Sequence, residues 1–144
     1  MNAKRLVLAI VVVFAGVFAT DYLIHQVWLK STYQETMNLW RTPEEMKARM
    51  GWLFLGEFLL SATFVVIWSK GFPATASLGG ACLYGVFMAL FSQAATLVGY
   101  AVQPLPPELA VKWFIAGIAQ GVLMGVLVFL VGKPRLAEGK PNGL

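Results

Sequence analysis

Four long apolar runs divide the chain: Leu6 to Leu29, Gly51 to Trp68, Leu78 to Val102 and Leu109 to Val131. Each is about 18 to 25 residues, enough to cross roughly 30 Å of hydrocarbon as a helix. In lipid, only helices or closed barrels satisfy their own backbone, and no strand-like alternation is visible here. The pattern predicts an all-α, integral membrane four-helix bundle, one transmembrane domain over 1–144. Its helices are placed at about 6–29, 43–69, 78–102 and 109–132, followed by a polar tail at 133–144.

The longest polar stretch joins the first two spans. Ser31 with Gln34 three residues on reads as a capping box. Tyr33, Met37 and Trp40 recur at helical spacing. A short amphipathic helix over about 32–40, lying on the membrane surface, follows. Thr42, Pro43 and Glu45 then form a strong helix start, from which the second span is expected to run unbroken into the bilayer. Gly71 and Pro73 end it. "QPLPPE" at 103–108 is a short, stiff link between the last two spans.

Composition agrees with this class. Charged residues make up 12% of the chain, against about 25% in soluble domains. The net charge of +4 comes from scattered Lys and Arg flanking the apolar runs, which reads as lipid-surface anchoring rather than nucleic-acid binding. Lys4 and Arg5 followed by an apolar core imitate a secretion signal. The run continues past Ala19 to Leu29, so a retained helix is expected. Lys and Arg number six on the side of the termini and five on the other, a weak bias toward cytoplasmic termini. Trp28, Trp52 and Trp113 fall at the face opposite the termini and Trp68 at the terminal face, as an aromatic belt would.

Polar residues inside the spans carry whatever chemistry there is. Counting about 1.5 Å per residue, Asp21 lies roughly 12 Å, Glu57 roughly 8 Å and His25 roughly 6 Å below the face opposite the termini. Gln93, Thr96 and Tyr100 share one stripe of the third span and reach the same layer. A charge deep in lipid costs at least about 2.5–3.5 kcal/mol, so Asp21 and Glu57 should face protein or water. One reading is structural: Asp21, His25 and Glu57 bond each other, Arg49 or Tyr100, and pin the first span to the next two. The functional readings are a proton or cation pathway, a polar substrate pocket and, least supported, a metal site on Asp21, His25 and Glu57. The structural reading is favoured. No cofactor is predicted.

Small residues mark two further faces. The last span has Gly117, Gly121 and Gly125 at a spacing of four; the third has Ser77, Ala81 and Gly85, leading to Ala89 and Gln93. Such stripes let helix backbones approach closely. They either face each other within the chain or dock another subunit. Cys82 is the one cysteine, so no internal disulfide is possible. No nucleotide-binding, nucleophile-elbow or zinc-protease motif occurs.

"DYLIHQVWL", "YQETMNLWRTPEEM" and "VQPLPPEL" before a glycine-rich last helix resemble a type of small bacterial four-helix inner-membrane protein. That resemblance implies the fold and a bacterial inner membrane, and it carries no assigned activity. The chain departs from the small multidrug exporters, which are shorter and carry an essential glutamate in their first helix. It departs also from the quinone-reducing disulfide partners, which need several cysteines. The favoured expectation is a non-catalytic subunit packing through its small-residue faces into a membrane complex or homo-oligomer. The alternatives are a small proton- or cation-coupled transporter or channel using Asp21, His25 and Glu57, and an enzyme acting on a lipid or quinone.

Overall fold

A computed structural model describes residues 1–71 and 77–132. Pro73 and the polar tail at 133–144 lie outside them. The described residues form an all-α bundle without strands, with four helices long and apolar enough to cross a membrane. Helix α1, Ala3–Asp21, starts at Asn2, whose side chain accepts from the Arg5 backbone at 3.0 Å. It continues without a break into a π-helical stretch, Tyr22–Trp28, and together these make the first 26-residue span. Two short surface helices follow, α2 (Lys30–Glu35) and α3 (Pro43–Ala48), with a 3-10 turn at Met37–Leu39 between them. The remaining spans are α4 (Met50–Gly71), α5 (Leu78–Val102) and α6 (Pro107–Gly132).

Two expected features of the connector differ. Ser31 does not cap α2, because the π-helical stretch delivers the chain to Leu29 already close to helical geometry and α2 begins at Lys30. Thr42 and Glu45 do form a capping box, but the helix they start ends at Ala48. Arg49 leaves helical geometry and donates from Nη1 to the Glu45 carbonyl at 3.0 Å. That bond satisfies a carbonyl orphaned at the end of α3, which stabilises the break. The second span therefore starts afresh at Met50.

Helix α6 is the centre of the bundle: α5 packs along it on one side, α1 on another, and α4 rests mainly on α1. The α5–α6 contact is glycine against glycine. A Cβ on Gly85 would overlap the Gly121 carbonyl, and one on Gly125 would overlap that of Ala81. A Cβ on Gly121 would come within 2.5 Å of Ala89 Cβ. The two small-residue stripes thus occupy each other, with backbone van der Waals contact supplying attraction that lipid-facing Leu or Val cannot. Ser77 stands just outside this contact, capping α5 by accepting from the Gly80 backbone at 3.0 Å.

The half of the bundle nearer the termini is sealed by Val13, Phe64, Val65, Trp68, Tyr84, Met124 and Val128. Trp68, 6% exposed, is a core residue rather than part of a lipid-facing belt. That half is also not purely hydrocarbon. The Tyr84 hydroxyl donates to the Phe64 carbonyl at 2.6 Å, tying α5 to α4, and its ring packs 4.6 Å from that of Phe64.

Candidate functional site

The polar groups gather in the other half, toward the connector. Asp21 ends the regular part of α1. Beyond it the backbone bonds lengthen to the i→i−5 pattern, as in Leu29 N–H donating to Ile24 O at 2.8 Å. The widened ring changes the direction of each side chain in Tyr22–Trp28, His25 among them. Such π-helical segments are often found at functional sites.

Asp21 is held from α6. Gln120 Nε2 donates to Asp21 Oδ1 at 2.8 Å and to Thr20 Oγ1 at 2.7 Å. Thr20 sends its own hydroxyl hydrogen back to the carbonyls of Gly16 and Val17, at 2.8 and 2.9 Å. From the opposite side, the Glu57 carboxyl of α4 shares a hydrogen bond with that of Asp21. Such a bond exists only while one of the two carries a proton, so the pair bears one negative charge. Glu57 Oε2 is buried and has no hydrogen-bond partner.

His25 is held from the connector, not by Asp21, Arg49 or Tyr100. Its Nδ1 lies 2.6 Å from the Tyr33 hydroxyl. Trp113 Nε1 donates to the same oxygen at 2.8 Å. An indole can only donate, so the phenol's own hydrogen is available to Nδ1, an arrangement that puts the imidazole proton on Nε2. Burial pushes the Tyr33 phenol above its ordinary value; the indole bond opposes this, and the Asp21 charge adds to it. Trp40 closes the cluster, edge-on to Tyr33 at 5.4 Å and to Trp113 at 5.9 Å. Its Nε1 donates to Thr36 at 2.9 Å, which locks the surface segment onto the bundle. Met37, placed on the same face by its spacing, is 70% exposed and takes no part.

On α5, Thr96 Oγ1 donates to Gln93 Oε1 at 2.7 Å, and the Gln93 amide lies directly over Gly117. A cavity of about 210 Å³ opens between the three elements. Asp21, Ile24 and His25 line it from the first span, Gln93 and Thr96 from α5, and Trp113, Ala116, Gly117 and Gln120 from α6. Of the expected polar layer, the fold brings Asp21, His25, Gln93 and Thr96 together around one space. Glu57 reaches that space only through Asp21. Tyr100 is 40% exposed and stands apart. The proposed metal ligands do not converge: among the described residues, no three of His, Cys, Asp and Glu form such a group.

Gln120 and Tyr33 were not legible as site residues. Gln120 sits inside "GIAQGVLMG", where the glycine spacing dominates; its amide in the middle of an apolar run was the available signal. Tyr33 reads as membrane-facing until the connector's fold is known. Chemically, the cavity offers a carboxylate, amides, a hydroxyl and an imidazole, and no Lys or Arg side chain. It holds no nucleophile–base pair. The chain matches no family model, no curated protein and no solved structure.

Proposed function

We propose that this chain is a small membrane transporter or channel that receives a polar solute or ion in the cavity between the first span, α5 and α6. One observation carries the reading: a polar space of about 210 Å³ inside a membrane bundle, with Asp21, His25, Gln93, Thr96 and Gln120 on its walls. Intramembrane ionisable groups are expensive, and most often line a pathway or a binding site. The Val13–Val65–Val128 core below the cavity fits a site that is open toward one face at a time. The accessory-subunit reading drew on small-residue faces, and those faces contact each other in the α5–α6 pair. The charge bias places the termini in the cytoplasm of a bacterial inner membrane.

The test is flux. The purified chain in proteoliposomes should carry cation or proton current above protein-free vesicles, and Asp21→Asn should abolish it while melting at nearly the wild-type temperature. Equal currents from wild type and Asp21→Asn, together with a partner of fixed stoichiometry in native mass spectra, would return the subunit reading to first place.

A further inference from the structure

The walls of this cavity differ in chemistry, and the difference bears on what fits between them. Asp21 supplies the single negative charge it shares with Glu57. No positive side chain balances it: the lining contains no Lys or Arg, and Lys112, beside Trp113 in sequence, is ion-paired with Glu108. His25 faces Tyr33 through Nδ1 as an acceptor, and so adds no fixed charge. A site with one uncompensated negative charge in a low-dielectric bundle favours one positive charge.

Size and surface narrow the class further. About 210 Å³ far exceeds a stripped inorganic cation, which needs several oxygens closing at about 2.3–2.6 Å. Here the wall opposite the carboxylate is apolar and aromatic: Ile24, Ala116 and the Trp113 indole. Trp113 is immobilised by its bond to Tyr33 and by edge contact with Trp40. A fixed indole across from a carboxylate is the arrangement that holds an organic ammonium, by cation–π attraction on one side and charge on the other. Gln120 spends its amide hydrogens on Thr20 and Asp21, which leaves its carbonyl as a further acceptor for N–H donors.

We infer that the cavity binds a small organic monocation of the alkylammonium class, seated between Asp21 and Trp113. This rests on the reading of the cavity as a solute site. The experiment is calorimetric titration of the detergent-purified full chain with methylammonium, tetramethylammonium, sodium, acetate and glycerol. At least one of the two ammonium probes should bind saturably. Asp21→Asn should weaken it at least tenfold and Trp113→Leu several-fold, while Trp52→Leu, on a fully lipid-facing position, should leave it unchanged. Far-ultraviolet dichroism and the melting temperature of each variant separate lost binding from lost folding. Asp21-dependent binding of sodium, acetate or glycerol, with neither ammonium bound, would overturn the ligand class and leave the solute site standing. No binding by any probe, with flux unchanged after a thiol reagent blocks Thr96→Cys in a Cys82→Ser background, would overturn both.

Discussion

Trp113 and Tyr33, eighty residues apart, meet through a 2.8 Å hydrogen bond from the indole to the phenol oxygen, and the same oxygen lies 2.6 Å from His25. One hydroxyl therefore joins the surface segment to the first and last spans. Tyr33→Phe keeps the ring and removes that junction. It leaves the indole N–H and the imidazole nitrogen without their partner, a loss of about 1–3 kcal/mol. The expected result is a lower melting temperature and faster amide exchange across residues 30–40, with exchange in α5 unchanged.

The same phenol gives a pH signature. Burial raises its folded-state pKa above the ordinary value of 10.0. The protonated phenol is thus favoured by folding, and its contribution is complete below the unfolded value and lost as pH rises through the folded one. Melting temperatures of wild type and Tyr33→Phe should differ by a constant amount up to about pH 9, and the difference should shrink above pH 10. A difference independent of pH through that range would mean that the phenol is not buried as described.

Glycine substitutions should divide by position. Gly85→Ala pushes a methyl into the Gly121 carbonyl and must part α5 from α6. Overpacking of this kind costs about 1–3 kcal/mol. Gly56 on α4 has open space where its Cβ would stand. Gly56→Ala should therefore be neutral or raise stability by about 0.5–1 kcal/mol, the usual gain from removing a mid-helix glycine. Unfolding of both variants in mixed micelles by increasing anionic detergent reads the contrast directly.

Ser61 is fully buried on α4, one turn from Glu57, and its hydroxyl has no hydrogen-bond partner. A buried hydroxyl left unpaired is a net cost. Ser61→Ala should leave stability unchanged or raise it by about 1 kcal/mol. A marked fall in the same unfolding assay would reveal a bound water or ion bridging Ser61 and the orphan oxygen of Glu57.

The four spans were legible because their cause is local: length and the near-absence of charge suffice to select membrane-crossing helices. The α5–α6 contact was half legible. Glycines every fourth residue announce a close approach, but whether Gly121 meets Gly85 or another chain depends on how the helices are arranged. The site was legible as a layer, not as a set of partners. Asp21 and His25 were paired by helical spacing, yet one bonds Gln120 and the other Tyr33. No proline or glycine in Tyr22–Trp28 signals the π-helical turn, and nothing local predicts the break at Arg49. Both arise from how the connector settles on the bundle. Trp113 shows the same limit: its position near a span end suggested a lipid-facing anchor, and its hydrogen bond turns it inward.

The π-helical stretch can also be described as surplus length. An i→i−5 ring holds one residue more than an α-helical ring. Deleting a single residue between Tyr22 and Trp28 would restore regular geometry and rotate everything after the deletion by about 100° relative to α1. His25 and the connector would then point to different sides of the bundle, with every side chain around the cavity still present. Among homologous chains, insertions and deletions in these seven positions should consequently be rarer than substitutions, because here the count of residues, more than their identity, keeps the imidazole against Tyr33.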